Sequence, residues 1–448
     1  MLGVRVGAAA AREQLEAWVP ADHLLRRIDR ALDLTQVRAQ LVGCYSRIGR
    51  PSVDPELLLR LLLVGYLYGI TSERRLVEEV RVNVAYRWFA GLPFGARVPH
   101  HSTFSKNRHG RFGAGVFRAV FEAVVRQCVA AGLVVGGACS VDGSMVNADA
   151  SSQRWTQPTR LKLTTAWPAD GEVPVAPDAG RPPPRHTPRG LDPPVRSPTD
   201  PDATWASKGG PARFAYYVNY LVDNARGVIV DVEATAARYS AEALAARVMI
   251  ERTRADLGLS VTALGADRAY GSGPFLEWCR AAGVTAYVPV LDRRGQTRGQ
   301  FTQADFAYDG ERDEYVCPGG ERLRKVATIA TSQVQQYRAP PARCTTCALR
   351  ARCTTAPRRQ LSVSGHDAVR RDTLALAGTP EFTRAAWARK KVEARFAELK
   401  RFMRVRRLRL RGLPRAAEQF LLAATAQNLK RLAAAVSVSH PAHVPAAA

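Results

Sequence analysis

The chain has 448 residues, and 46% of them are hydrophobic, which allows a large buried core and predicts two or three domains. Its formal net charge of +25 favours a polyanionic partner. The longest apolar run, residues 57–70, is interrupted by Arg60 and is too short to span a bilayer. The N-terminal segment has the pattern of neither a signal peptide nor an anchor, so a cytoplasmic location is expected.

The excess of arginine has two explanations. A genome that favours Arg and Ala codons would give a similar composition without any nucleic-acid partner. Here, however, the cations are clustered, because residues 389–411 contain eleven Lys or Arg and only two acids. This clustering favours nucleic-acid binding.

Residues 1–125 are predicted to form a helical domain. Asp54, Pro55 and Glu56 have the pattern of a helix start: Asp caps, Pro suits the first helical position, and Glu suits the helix dipole. The apolar run that follows predicts a buried helix. A later segment, HHSTFSKNRHGRF, opens with Ser102 as a candidate capping residue.

Short helices, a tight turn and a basic last helix suggest that this domain is a helix-turn-helix-like module that contacts DNA. The cations of that last helix are Lys106, Arg108 and Arg111. The alternative is a helical packing or dimerisation domain whose basic residues are only solvated. The same segment contains His100, His101 and His109. Histidines in such a position are more often loop or capping residues than metal ligands.

Two predicted strands end in an acid. The strand at 138–143 carries Asp142 near its end, and the strand VTALGAD ends in Asp267. Residues 130–150 and 212–290 together give the order strand, strand, strand, helix, strand, helix, strand, which predicts a mixed sheet with helices packed on it. This α/β region is the predicted core.

Two segments interrupt the predicted core. Residues 151–211 hold nearly half of the chain's 28 prolines and are predicted to be a poorly ordered linker. Residues 291–380 are turn-rich and are predicted to be an insertion. Residues 381–435 then form two helices, and 436–448 are a tail that frays.

The stretch 381–411 has a helical period. Arg389, Glu393, Phe396 and Lys400 fall at i, i+4, i+7 and i+11, which is one face of an α-helix. Val392, Phe396 and Leu399 are expected to anchor that face to the core. If the strands of Asp142 and Asp267 are neighbours in the sheet, their carboxylates can converge with Glu393. Hard oxygen ligands suit Mg²⁺ or Mn²⁺, and two such ions would support phosphodiester chemistry.

These motifs make the chain similar to bacterial insertion-sequence DDE transposases, which have an RNase H-like core. SVDGSMVNADAS resembles the first-Asp motif, GADRAYGSGPFLEWCRAAG the second, and RKKVEARFAELK the Tyr-x2-Arg-x3-Glu-x6-Lys signature. The resemblance covers nearly the whole chain, including its N-terminal helices and the CPGG and CTTC elements. It implies an RNase H-like mixed sheet flanked by helices, an all-α N-terminal domain and an insertion before the last catalytic helix.

The resemblance implies a role for each matched residue. Asp142, Asp267 and Glu393 would be catalytic metal ligands, while Arg389 and Lys400 would bind phosphates near the cleavage point. The signature Tyr falls on Ala386 here, with Trp387 one position along, which weakens one expected DNA contact. The DNA track would continue through Arg404, Arg406, Arg407, Arg409 and Arg411, although each could instead be part of a solvated face.

Four cysteines of the insertion have a spacing that suggests a structural zinc site, although reduced thiols or a disulfide are alternatives. They are Cys317, Cys344, Cys347 and Cys353.

The leading hypothesis is a transposase that cleaves double-stranded DNA at its element's ends and joins those ends to a target. It would need two divalent ions and a homodimer or larger assembly, because two DNA ends must be held together. One alternative is a metal-dependent nuclease of the same fold without strand transfer. The other is a DNA-binding regulator that has lost catalysis.

Overall fold

The structure is a computed structural model that describes residues 13–439 apart from 14, 46–51, 113, 157–194, 208–209, 238–240, 291–298 and 331–332. The chain divides into two compact units. The first unit contains residues 1–263 and 387–448, and the second contains residues 264–386. Much of the predicted linker 151–211 lies outside the described residues, as do residues 440–448 of the predicted tail, whereas residues 436–439 are helical.

Helices make up the N-terminal part of the first unit. In chain order they are α1 Leu24–Ala31, α2 Thr35–Leu41, α3 Pro55–Leu67, α4 Glu73–Val82, α5 Val84–Ala90, α6 His101–Gly110 and α7 Ala114–Ala130. The predicted start of α3 is confirmed, because Asp54 caps it by accepting a hydrogen bond of 2.9 Å from the Glu56 N–H. Nearly every residue of α3 is buried, as its apolar sequence predicts. The predicted all-α N-terminal region is therefore present.

A sheet of mainly long strands follows the helices. Its strands in the first unit are β1 Gly137–Asn147, β2 Thr204–Ala206, β3 Arg213–Asp223 and β4 Ile229–Ala236, and β5 Val261–Gly265 begins in the same unit. The order is β2-β3-β1-β5, with β4 also paired to β3. The pairs β1 with β3, β2 with β3, and β3 with β4 are antiparallel. The predicted mixed α/β fold with an RNase H-like arrangement is confirmed.

The two faces of β1 have different partners. Asp142 lies opposite Tyr220 of β3, and Gly143 lies opposite Asn219. Since side chains alternate across a sheet, Asp142 and Tyr220 share one face and Gly143 and Asn219 share the other. A Cβ on Gly143 would lie 2.8 Å from Asn219 Oδ1 and 3.0 Å from the Glu242 carboxyl carbon, so a larger residue does not fit there.

Helix α8 Ala241–Leu257 carries Glu242 and packs on β3 and β4. Further along the chain, the stretch that the sequence predicts as one helix is divided. Helix α13 Pro380–Ala388 ends just before Arg389, and α14 Lys390–Arg401 begins just after it. Beyond α14 the chain forms a loop before α15 Leu413–Ser439.

The long helix α15 closes the first unit. It packs against α1, α3 and α7 as well as against β4 and β3. Its Asn428 side chain forms two hydrogen bonds with Ile229 of β4: the Ile229 N–H donates to Oδ1 at 2.9 Å, and Nδ2 donates to the Ile229 carbonyl at 2.7 Å. Asn428 of α15 therefore forms hydrogen bonds with the N–H and carbonyl of Ile229, as a neighbouring strand would do at the edge of the sheet.

Helix α14 is anchored by the three residues that its periodicity predicts. Val392 and Leu399 are fully buried and Phe396 is nearly so. The Phe396 ring stacks on Tyr220 with their centroids 4.9 Å apart and an angle of 15° between their planes. Burial raises the pKa of the Tyr220 phenol far above its usual value, so this platform stays neutral. The helix is thereby fixed on the face of the sheet that also carries Asp142.

The second unit has its own sheet. The strands are β7 Ala307–Asp309, β8 Glu314–Val316, β9 Arg322–Ile329, β10 Val334–Arg338 and β11 Gln360–Ser364, in the order β11-β10-β9-β8-β7. Strand β6 Thr285–Tyr287, the end of β5, and helices α9 Gly273–Ala281, α10 Pro341–Thr345, α11 Arg350–Cys353 and α12 Asp367–Ala375 complete it. Its described core is small and centres on Tyr315, Leu323 and Tyr337.

No helix within the part of the chain that the structure describes combines the length and apolarity needed to cross a membrane.

Replacing Phe396 with Ala should destabilise the first unit by about 3–5 kcal/mol, because the substitution removes a buried ring and leaves a cavity beside Tyr220. Urea denaturation followed by tryptophan fluorescence measures this loss. Phe402→Ala is the matched control, since the Phe402 side chain is 68% exposed and its loss should change the free energy of unfolding by less than about 0.5 kcal/mol. Equal effects of the two substitutions would contradict the anchoring role of Phe396.

Candidate active site

Asp142 lies within β1 and not at its end. The sequence predicts a strand that stops at residue 143, but β1 continues to Asn147 because residues 139–147 all pair with β3. The Asp142 carboxylate accepts a hydrogen bond of 2.8 Å from the Gly143 N–H, and its side chain is only 15% exposed. The acid is therefore held in a sheltered position on the α14 face of the sheet.

Arg389 joins Asp142 to Glu393. Its terminal nitrogen lies 4.0 Å from Asp142 Oδ2 and 3.7 Å from Glu393 Oε1. Both distances exceed the roughly 3.2 Å limit of a good N–H···O hydrogen bond. The guanidinium therefore attracts both carboxylates electrostatically but forms a good hydrogen bond with neither. Glu393 is 58% exposed, and it faces solvent beside the sheltered acid. The structure thus brings together three of the predicted site residues.

The Arg389 guanidinium retains bonding capacity. Its Nε atom is buried and has no hydrogen-bond partner among the described residues. Arg389 lies at the junction between α13 and α14, where its backbone is still helical (φ −55°, ψ −27°). An arginine in this position can accept a further anionic partner without breaking a bond that holds the fold.

The position of the missing signature Tyr is visible on α13. Ala386 is at that position, and the next residue, Trp387, is 65% exposed. The ammonium group of Lys390 lies 3.5 Å from the centre of the Trp387 ring, a cation–π contact. An exposed aromatic ring paired with a cation therefore lies six residues before Glu393.

Asp267 belongs to the second unit. The sequence predicts a strand that ends in Asp267, but β5 ends two residues earlier, at Gly265. Its carboxylate caps the 3₁₀ turn Arg268–Tyr270 by accepting a hydrogen bond of 2.8 Å from the Ala269 N–H. Its role as a third ligand stays a prediction.

Glu398, the other acid of the basic stretch, has a separate function. Its carboxylate pairs with Lys430 at 2.6 Å, with Arg395 at 3.4 Å and with Arg431 at 3.6 Å. Its side chain is only 12% exposed. Because Lys430 and Arg431 belong to α15, Glu398 ties α14 to that helix.

The basic loop, residues 402–412, alternates apolar anchors with cations. Met403, Val405 and Leu408 are buried, while Arg404, Arg406, Arg407 and Arg411 are exposed. The loop is bonded to the end of the Asp142 strand, because the Asn147 N–H donates to the Arg406 carbonyl at 3.1 Å and the Leu408 N–H donates to the Asn147 carbonyl at 2.8 Å. These exposed arginines therefore emerge beside β1.

Not every predicted DNA contact is available in this region. Arg409 turns inward, with its guanidinium 4.9 Å from the centre of the Tyr66 ring. Arg407 and Arg411 pair with Asp149 at 3.2 and 3.1 Å. Lys400 is half-buried on α14. Arg404 and Arg406 are exposed and form no ion pair with an acid among the described residues.

The cations of α6 have different environments. Arg108 is buried and forms an ion pair with Glu73, so its predicted contact with DNA is replaced by a structural role. Arg111 is half-buried and its guanidinium lies 4.7 Å from the Tyr45 ring centre. Lys106 is exposed. The predicted cap is also wrong, because His100 and not Ser102 caps the helix, accepting a hydrogen bond from the Ser102 N–H.

Cys317, Cys344, Cys347 and Cys353, the four cysteines of the predicted insertion, are all free thiols and all half-buried. Burial raises the pKa of the Cys353 thiol, the Arg359 guanidinium lowers it, and the charges of the other three cysteines raise it, so all four lie near one another. Across the described residues, nevertheless, no group of three or more His, Cys, Asp and Glu side chains is already arranged to hold a metal ion.

The sequence did not single out the residues of β3 next to Asp142. Tyr220 and Asn219 are neighbours on β3, and they lie opposite Asp142 and Gly143 respectively. Asn219 Nδ2 donates hydrogen bonds of 3.1 Å to the Glu233 carbonyl and to Thr235 Oγ1, which fixes this part of the sheet. The only sequence signal for them is the run of aromatic and apolar residues in FAYYVNYLVD, which predicts a strand.

The fold defines an RNase H-like α/β protein with an all-α N-terminal region. Residues 13–110 match the model of a transposase domain family (DUF772), and residues 316–433 match that of a transposase DDE domain. No curated protein matches the chain. Both matches, which each cover less than half of the chain, support an insertion-sequence DDE transposase. The second match includes Glu393 and the four cysteines, whereas Asp142 and Asp267 lie outside both matched ranges.

Neutralising the two accessible arginines of the basic loop should weaken DNA binding. In a variant with Arg404→Gln and Arg406→Gln, we expect the slope of log K against log salt concentration to fall by about two, since each phosphate contact contributes about 0.9. Fluorescence anisotropy with a labelled duplex, measured over a range of salt concentrations, determines this slope.

Arg254→Gln is the matched control, because Arg254 is an exposed cation on α8. We expect it to leave the slope unchanged. If the control lowers the slope as much as the loop variant does, DNA binding follows net charge alone and the loop has no special position.

Proposed function

We propose that this transposase cleaves phosphodiester bonds at the ends of an insertion sequence and joins those ends to target DNA. The observation that carries the proposal is the position of Arg389 between Asp142 and Glu393, at 4.0 and 3.7 Å. Two carboxylates that approach one cation from two separate elements form a site suited to binding positive charge.

The chemistry of the donors suits divalent metal. Carboxylate oxygens are the ligands that Mg²⁺ and Mn²⁺ prefer, and Asp142 and Glu393 supply them from β1 and α14. Asp267 is proposed as the third ligand, on the strength of its place after β5 and the motif around it. When bound, such ions activate a water or a 3′-hydroxyl and stabilise the leaving oxygen.

The protein's own side chains position the DNA. The Arg389 guanidinium, whose side chain is 22% exposed and lies next to both acids, would bind a phosphate through its terminal nitrogens. Lys400 would hold the same strand further along α14. Arg404 and Arg406 would contact the backbone beyond the cleavage point, because their loop is bonded to the strand that carries Asp142. Two DNA ends must be held at once, so we propose that the protein acts as a homodimer or larger assembly on DNA in the cytoplasm.

A second candidate function has one observation in its favour. Ala386 at the signature Tyr position removes a side chain that would contact DNA next to the acids. A protein with such a loss can remain a DNA-binding regulator without cleaving. Trp387, exposed and adjacent, offers an aromatic surface one position along.

Asp142→Asn should reduce DNA cleavage at least about a hundredfold, because the amide removes a charge worth several kcal/mol in holding metal. The assay uses a supercoiled plasmid that carries the ends of the element, with Mg²⁺, and scores both cleavage and joining. Asp256→Asn on the exposed surface of α8 is the control and should leave activity unchanged.

The outcomes separate the candidate functions. Cleavage without any joined product in the unaltered protein would identify a nuclease. DNA binding without cleavage at any metal concentration would identify a regulator. An Asp142→Asn protein that folds normally and still cleaves would refute the assignment of the site.

A further inference from the structure

Four cysteines line one cleft in the second unit. The cleft has a volume of about 370 Å³, and its walls include Cys317, Cys344, Cys347 and Cys353. Cys317 follows β8, Cys344 lies on α10, Cys347 lies between α10 and α11, and Cys353 ends α11. The cleft therefore joins the turn after β8 to two short helices. It lies wholly within the second unit.

The turn after β8 presents its sulfur to this space. The Cys317 N–H bonds to the Glu321 carbonyl and the Gly320 N–H bonds to the Cys317 carbonyl, both at 2.8 Å. Gly320 has φ +82°, a conformation that glycine adopts readily. The Glu321 N–H then donates to Cys317 Sγ at 3.2 Å. This turn is built around a sulfur that accepts a peptide hydrogen bond, as a thiolate ligand does.

The helical side of the cleft repeats this arrangement. The Arg359 N–H donates to Cys344 Sγ at 3.4 Å. A Cβ placed on Gly319 would lie 3.5 Å from Cys347 Sγ and 3.6 Å from Cys317 Sγ, so sulfurs from both sides flank one small space. Gly319 leaves that space open because it has no side chain.

Three guanidinium groups surround the cleft. Arg343, Arg350 and Arg359 line it. The Arg359 guanidinium also donates to the Cys353 carbonyl at 2.7 Å, which holds the end of α11 in place. Four thiolates around one divalent ion form a dianionic centre, and these guanidinium groups would offset its charge.

We propose that these four cysteines bind one structural zinc ion. The ligand set is that of a tetrahedral Cys₄ site, with one ligand from the turn and three from the helical segment. The thiols do not yet form a closed metal site in the described residues. Zinc binding draws them together by small movements of the short segments that carry them. The unit gains from this link because its described core is small.

Metal analysis of the purified full-length protein tests the site. After dialysis against zinc and then metal-free buffer, elemental analysis should find about one zinc per chain. Cobalt substitution should give the thiolate-to-metal charge-transfer band and the strong visible bands of tetrahedral coordination. Cys317→Ser and Cys347→Ser, one from each side of the cleft, should each lower the zinc content about tenfold or more. Neither measurement depends on DNA cleavage, so its result is independent of the proposed function.

Cys279→Ala is the matched control, because Cys279 is buried on α9 in the same unit and does not line the cleft. It should retain the zinc. The proposal is overturned if the unaltered protein binds no zinc, if it binds iron instead, if the serine variants keep their zinc, or if the cysteines form disulfides. The cobalt spectrum of the unaltered protein decides the question even if a serine variant does not fold.

Discussion

The stacking of Phe396 on Tyr220 is the contact on which the geometry of the acidic site depends. Tyr220 of β3 lies directly opposite Asp142 of β1. The Tyr220 ring, on which Phe396 of α14 stacks, is therefore on the same face of the sheet as Asp142. A shift of one residue in that pairing would turn Asp142 to the opposite face, toward α8. The stacked ring thus fixes both the helix that carries Glu393 and the strand that carries Asp142.

The large positive charge is divided between structure and surface. Arg108 pairs with Glu73, Arg252 pairs with Asp231, and Arg409 packs on Tyr66, so these cations hold elements together. Arg404 and Arg406 remain exposed. Net charge therefore indicates an affinity for polyanions, but only burial and pairing show which residues carry it. Removing Arg108 or Arg252 alone would take an ion-pair partner away from a sheltered acid, which makes these two arginines hard to replace.

Local patterns predicted what local forces determine. The 3.6-residue period identified Val392, Phe396 and Leu399 as anchors, and the Asp-Pro-Glu sequence identified the start of α3. Predictions failed where distant partners decide the outcome. The length of β1 is set by β3, some seventy residues later in the chain. In the same way, Arg108 points inward because it pairs with Glu73. Arg389 lies near Asp142 although the two are far apart in the sequence, and the helical period predicts contacts only between residues close in sequence.

The position of α15 in the chain affects when the first unit can fold. This helix leaves the ribosome after every other described element, yet it packs on α1, one of the earliest, and its Asn428 completes the backbone bonding of β4. Contacts between such distant segments form slowly and only after synthesis has reached them. During translation, the growing chain must therefore hold an exposed apolar surface on α3, α7 and β4 until its final helix arrives. A message cut short before this helix would yield a polypeptide without a closed core, a substrate for proteases and not an enzyme.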